Sequence, residues 1–262
     1  MSKVWDAIII GGGAAGLFCA GVAGQLGKKV LVLDHADTLC EKIRISGGGR
    51  CNFTNLHSSP ANFLSLNPHF VKSALARYPA KEFIKLVQSY RIAYHEKHQG
   101  QLFCDDSAKQ IIEMLLGECA KGHVDIRHPV TVESISNGAG VWNVQTNAGI
   151  ERSSSLVMAT GGLPVPAIGA TAYSLDIAKQ FGLKVVDPRP ALVPLSFTSG
   201  EFDNLIELSG LSLPVRIAAG SKGNRYGACR FNEDLLLTHK GLSGPAVLQA
   251  SSYWAEGEAI HI

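Results

Sequence analysis

Residues 11–16 read Gly11-Gly12-Gly13-Ala14-Ala15-Gly16, a G-x-G-x-x-G spacing placed directly after an apolar run at residues 7–10. That spacing suits a dinucleotide. Gly11 permits a tight turn, Gly13 lets backbone approach a pyrophosphate, and Gly16 lets a following helix pack close to the strand. The free N–H groups of the helix start, around Ala14 and Ala15, add an anion-binding dipole end. Asp34, closing the next apolar run, stands where a carboxylate would accept ribose hydroxyls and disfavour a 2′-phosphate. A second glycine cluster, Ser46-Gly47-Gly48-Gly49-Arg50-Cys51-Asn52, offers successive backbone N–H groups among the cations Lys42, Arg44 and Arg50. Such a nest fits a pyrophosphate or the polar edge of a ring, although a solvated surface loop has the same composition. Cys51 has no second cysteine four or five residues away with which to form a redox pair, so it reads as a small buried thiol. Thr160-Gly161-Gly162 ends another apolar run, a pattern shared by many strand-to-loop turns.

Elements must hold these residues in place. Residues 4–10 show no polar alternation after Asp6, which predicts a central parallel strand buried on both faces. A helix over residues 14–26 closed by Gly27, then a buried strand at 30–33, completes a βαβ unit. Residues 46–67, rich in Gly, Ser, Asn and Pro, predict a loop. Helices follow at about 70–76 and 81–89, and strands near 92–95 and 101–104. Ser107 predicts the N-cap of an amphipathic helix through Ile111, Ile112, Leu115 and Leu116. A third parallel strand is expected at 124–126, a meander over 130–135, 141–146 and 149–152, and a further buried strand at 155–159. Pro188, Pro190 and Pro194 mark a boundary between a nucleotide-binding domain, 1–188, and a β-rich domain, 189–262. The latter is expected to hold strands near 192–197, 213–218, 227–231 and 235–238, with a short helix after Ser243 that takes Pro245 in its first turn. Residues 258–262 alternate as a strand does and stop without a turn or cap, which reads as an element cut short.

Composition narrows the function classes. With 46% hydrophobic and 18% charged residues the 262-residue chain can bury a substantial core. A net charge of +2 without a basic cluster gives no electrostatic footprint for nucleic acid, so the expected partner is a small-molecule substrate. Six cysteines without paired spacing, no leader-like segment and no apolar run long enough to span a bilayer predict a cytoplasmic protein without membrane contact. No metal-ligand spacing and no nucleophile–histidine–carboxylate set is present in the pattern, so no residue is singled out as catalytic or metal-binding. His239 and Lys240 read either as a substrate-facing loop or as part of a helix-capping turn. Oligomeric state is not readable from the chain.

The fingerprint alone does not choose between FAD and NAD. Together with 42–52 (Lys-Ile-Arg-Ile-Ser-Gly-Gly-Gly-Arg-Cys-Asn), 159–162 (Ala-Thr-Gly-Gly) and 237–245 (Leu-Thr-His-Lys-Gly-Leu-Ser-Gly-Pro), however, it resembles the two-dinucleotide-binding-domain flavoproteins, specifically NAD(P)/FAD-dependent oxidoreductases of the BaiN and aminoacetone oxidase type. The resemblance implies an α/β fold: a Rossmann-like FAD/NAD(P)-binding domain with parallel sheet and β-meander, plus part of an inserted β-rich domain. It implies FAD as cofactor, a second cofactor contact at Thr160, Gly161 and Gly162, and an adenine contact through the backbone of Val130. In such a family a C-terminal segment returns to the FAD domain, so this chain reads as truncated. The implied activity is hydride transfer through the flavin, with NAD(P)H as co-substrate or an amine or alkene as substrate. An NAD-linked dehydrogenase without flavin, or a non-catalytic flavin-binding protein, remains open at this point.

Overall fold

In the computed structural model, which describes residues 4–198, 200–221 and 226–262, the chain divides into two compact units. The first comprises Met1–Ser59 with Lys72–Val185, the second Pro60–Val71 with Val186–Ile262. Against an expected boundary at 188/189, the units part between Val185 and Val186, and Pro60–Val71 groups with the second.

The first unit is built on β1 (Val4–Ile10), α1 (Ala14–Gln25) and β2 (Val30–Leu33). Alternation sorts the strand residues onto two buried faces: Ile9, Val30 and Val32 to one, Ile8, Ile10, Leu31 and Leu33 to the other. Burial on both faces is why these runs lack polar residues. After α2 (Glu41–Ile45), β3 (Asn52–Asn55), α3 (Lys72–Arg77), α4 (Ala80–Ser89), β4 (Tyr94–Glu96) and β5 (Gln101–Cys104), helix α5 (Lys109–Lys121) lays Ile111, Ile112, Met114, Leu115 and Cys119 against the first face beside α1. Strands β6 (Asp125–Arg127), β7 (Val132–Gly138), β8 (Val141–Thr146) and β9 (Gly149–Met158) complete a six-stranded sheet of order β6-β2-β1-β9-β8-β7. Its first four strands run parallel, and β9, β8 and β7 form the antiparallel meander. Helix α6 (Tyr173–Gln180) adds Ile177 to the second face with Trp5, Ile135 and Val144. A separate small sheet has the order β3-β5-β4.

The second unit is antiparallel: β10 (Leu195–Ser196), β11 (Ser212–Ala219), β12 (Cys229–Thr238) and β13 (Gly241–Ser243), in the order β10-β13-β12-β11. It also holds the short helix α7 (Asp203–Ile206). Helix α8 (Gly244–Ser251) covers the sheet, burying Ala246, Val247 and Ala250 on Ile217, Leu235 and Leu237.

Several expectations are corrected. The segments 149–152 and 155–159 are a single strand, β9, because Ser153 is fully buried and its hydroxyl donates to the Ser155 carbonyl at 2.8 Å, so the serine run does not break the ladder. Likewise 227–231 and 235–238 fuse into β12, whose alternating burial accommodates Asn232, Glu233 and Asp234. The predicted loop at 46–67 contains a 3-10 turn and β3. Ser107 lies one residue before the N-cap, Ala108, and its hydroxyl accepts from the Lys109 N–H at 3.2 Å. At the chain end only His261 pairs, with Ala218.

Candidate functional site

At the end of β1, Gly11 adopts φ +110° and its N–H donates to the Leu33 carbonyl at 2.8 Å. A methyl group there would overlap the Ala159 carbonyl, and one on Gly16 would overlap the carbonyl of Gly11, so both positions are closed by the protein itself. Gly13 differs: a methyl group on it would meet nothing within 4 Å. The open side of the turn is thus Gly13 and the exposed Ala14 and Ala15, where α1 begins with an extended Gly13 and no side-chain cap. Uncapped N–H groups at the positive end of a twelve-residue helix suit an anion.

Asp34 does more than the sequence suggests. One carboxylate oxygen accepts from the Gly12 N–H at 2.5 Å and the other from Ala36 N–H at 2.8 Å, which fixes the glycine turn to the end of β2. Each oxygen keeps a further lone pair, so the group can still accept ribose hydroxyls. Val130 is buried and its N–H donates to the Asp34 carbonyl at 2.8 Å, so this N–H is not available for the expected adenine contact.

The second glycine cluster follows α2. Gly47, Gly48 and Gly49 have φ of 58°, 65° and 85°, a left-handed run that side chains resist. A methyl group on Gly47 would press into the Phe103 ring, whereas Gly48 faces open space. The three cations divide in role. Arg44 is tied down by Glu41 (3.0 Å) and the Leu39 carbonyl (3.3 Å), and Lys42 donates to the Gly162 carbonyl at 3.0 Å. Arg50 is exposed and makes no ion pair among the described residues. Ser46 donates to the Ile43 carbonyl at 2.7 Å. The Asn52 amide, in the orientation that satisfies it, donates to the carbonyls of Thr54 (3.0 Å) and Leu102 (3.2 Å). Cys51 is buried; burial pushes its thiol pKa up, with a hydrogen bond to Ser46 opposing, so it is a protonated core group. Burial, chiefly, also pushes Cys40 up to about 12 and Cys104 up to about 11.

Thr160 follows β9, whose last contact is the Ala159 N–H donating to the Ile10 carbonyl at 2.8 Å. Its hydroxyl is buried without a hydrogen-bond partner among the described residues, a costly state unless a ligand supplies one. Gly161, at φ +77°, accepts from the Ser174 hydroxyl at 3.4 Å. The fold therefore brings three separated segments together: Gly11 to Gly16 abuts Ala159 and Thr160, and Lys42 reaches Gly162. These residues fit the ADP portion of a dinucleotide on two counts, an uncapped and unobstructed helix start and an orphaned hydroxyl beside it.

Sequence reasoning missed Gly12, Ala36, Cys40, whose thiol donates to the Gly12 carbonyl at 3.2 Å, and Ser174. Gly12 carried a signal, since the middle glycine of the Gly-Gly-Gly run exceeds what the fingerprint needs. In the second unit His239 and Lys240 are exposed at the turn between β12 and β13 rather than in a helix cap. That unit has an open cavity of about 1180 Å³ lined by residues such as Arg189, Phe231, Tyr253 and Trp254, and no predicted site residue lines it. Among the described residues, no cluster of His, Cys, Asp or Glu could hold a metal ion, and no helix is long and apolar enough to cross a membrane.

Comparison with known proteins adds a family and relatives. The sequence model described as "HI0933-like protein Rossmann domain" matches residues 5–247. A ribosomal RNA dihydrouridine synthase of Escherichia coli is 48% identical over 98% of this chain and 63% of its own length. One of the same name from Haemophilus influenzae is 51% identical over 100% of this chain and 65% of its own length. A 3-dehydro-bile acid delta(4,6)-reductase of Clostridium scindens is 25% identical over 95% of this chain and 60% of its length. The chain spans less than two thirds of the length of these relatives.

Proposed function

This chain belongs to the HI0933-like Rossmann family, and from that premise we propose that it is the nucleotide-binding part of an FAD-dependent reductase that saturates a carbon–carbon double bond. The observation that carries the reading is the buried, partnerless Thr160 hydroxyl beside an uncapped helix start that no side chain obstructs. Gly13, Ala14 and Ala15 hold the pyrophosphate through backbone N–H groups, and Asp34 accepts from the ribose while keeping the turn closed. Its negative charge favours a nucleotide without a 2′-phosphate. The glycine loop at 46–52, with Arg50 free of any described ion pair, faces the remaining polar groups of the cofactor. FAD, when bound, supplies the hydride.

The substrate class follows from the relatives' names. Dihydrouridine differs from uridine by two hydrogens across a double bond conjugated to a carbonyl, and the delta(4,6)-reductase is likewise named for double bonds. We assign this chain a uridine in ribosomal RNA as substrate, reduced at the expense of NAD(P)H. An RNA partner departs from the expectation drawn from the net charge of +2, which averages over the chain and says nothing of one face.

The test is the visible spectrum of the purified protein with mass identification of released cofactor, followed by incubation with NADPH and unmodified ribosomal RNA transcript. Bound FAD and a gain of two mass units on one uridine are expected. A colourless protein that binds NAD would replace this reading with an NAD-linked dehydrogenase, and a flavoprotein that leaves the RNA unchanged would remove the RNA substrate.

A further inference from the structure

Saturating a conjugated double bond requires a hydride on one carbon and a proton on the other, and the proposed function accounts only for the hydride. In that reading the glycine loop faces the cofactor, so a proton donor beside the loop would complete the reaction. The groups of the loop itself are poorly suited. Cys51 is buried, Lys42 is bonded to the Gly162 carbonyl, Ser46 to the Ile43 carbonyl, and the guanidinium of Arg50 does not give up its proton.

The small sheet carries a better candidate. Phe103 of β5 lies between Asn52 of β3 and His95 of β4, its partners in register, and it packs beneath Gly47 of the loop. The His95 ring stacks on Phe103 with centroids 6.3 Å apart and an interplanar angle of 18°. His95 Nδ1 is 2.7 Å from Asp105 Oδ1. The carboxylate thus fixes the ring's orientation, and Nε2 is bonded to no described residue on an exposed face. Asp105 is itself anchored through its N–H to the Ala93 carbonyl at 3.0 Å, and the adjacent Cys104 N–H donates to the Arg50 carbonyl at 3.0 Å. Strand pairing therefore ties the histidine–carboxylate pair to the loop. The charged residues on the strands and turns around His95 are Asp105, its chain neighbour Asp106, Glu96, and Lys97, whose ammonium sits 5.3 Å from the Phe103 centroid; Arg50 joins the sheet through its carbonyl.

We propose that His95 is the proton donor of the reduction, with Asp105 as its positioning residue; this rests on the flavin-reductase reading above. As hydride adds to one carbon of the double bond, the Nε2–H bond of the imidazolium breaks and a C–H bond forms at the other carbon. The neutral imidazole regains a proton from solvent, and NAD(P)H is the electron source, so one equivalent of NAD(P)H and one proton are consumed per bond saturated.

The experiment separates the two halves of turnover in the holoprotein by stopped flow. With His95→Gln, flavin content and the rate of flavin reduction by NADPH stay at wild-type values, while reoxidation by unmodified ribosomal RNA transcript slows about 100-fold or more. Added imidazole restores part of that rate, a rescue that a packing role would not produce. Asp105→Asn slows the same step less severely. Equal reoxidation rates in wild type and His95→Gln, or a slowed variant indifferent to imidazole, would overturn the assignment and leave the reductase intact. If His95→Gln does not fold, Asp105→Asn with an unaltered reoxidation rate overturns it equally. A wild-type protein that takes up FAD but reduces no uridine would remove the RNA substrate and, with it, this inference.

Discussion

Glycines that look alike in the fingerprint have different physical reasons to be glycine. At Gly16 the protein itself forbids a side chain, because its methyl would overlap the Gly11 carbonyl, while at Gly13 only a ligand would object. Gly13→Val is therefore expected to leave the thermal midpoint of the cofactor-free protein within a few degrees of wild type and to abolish FAD uptake, measured by absorbance after desalting. Gly16→Val is expected to lower the midpoint sharply or prevent folding. Comparable loss of fold in both would place Gly13 in the packing and weaken the cofactor assignment. Asp34 shows the same division within one side chain, since its carboxylate serves the turn before it serves any ribose.

Between elements, the clasp that joins α1, α4 and α5 is polar. Glu118 of α5 accepts from Gln25 at 2.9 Å, from Lys121 at 2.7 Å and from the Tyr90 hydroxyl at 2.6 Å. Burial alone would raise its pKa, but the hydrogen bonds from Gln25, Lys121 and Tyr90, with the charge of Lys121, outweigh it and hold the carboxyl down to about 2. A folded-state pKa below the unfolded value means stability that is fully present above the usual carboxylate range and is lost as pH falls toward about 2. Urea titrations at about pH 6 and about pH 3 should differ less in Glu118→Gln than in wild type. An unchanged difference would show that the clasp contributes nothing measurable. The elements themselves were unevenly legible. Strand β2 and the part of β1 after Asp6 were plain because burial on both faces leaves an unbroken apolar run. Strand β9 was divided in two at Ser153 and Ser154, polar residues between the two expected segments, although a buried hydroxyl bonded to the carbonyl two residues on removes the cost of burying it. Helix α6 was not anticipated at all, since eight residues with a single buried side chain, Ile177, give too short a period to recognise. The glycine clusters were legible as motifs, while the Asp34 to Gly12 bond and the His95 to Asp105 pair join residues distant in sequence and left no local pattern.

Each unit buries a core of its own, that of the first on both faces of its sheet, around Ile9, Val32 and Leu115 and around Ile8, Leu31 and Val144, and that of the second around Ile217, Leu237 and Val247. Ile217 is fully buried, so Ile217→Ala should cost the second unit about 2–5 kcal/mol. If the units unfold independently, calorimetry will show one transition moving and FAD content unchanged; a joint shift would mean that the two cores melt as one. That Pro60–Val71 groups with Val186–Ile262 could not be foreseen, because nothing in a short proline-bearing segment names the distant residues it groups with. The position of β9 has a further consequence. Bonded to β1 as far as Met158 and to β8 as far as Ser153, it lies at the middle of the six-stranded sheet. Thr160 and Gly161 follow within three residues of its end, so the buried hydroxyl is expected to lie in a slowly opening part of the unit, which amide exchange would read. The glycine loop at 46–52, held by the three-stranded sheet and short turns, is expected to open sooner. A ligand touching both would bridge two rhythms of opening, and its arrival would be felt chiefly as the quickening loop falling into step with the strand.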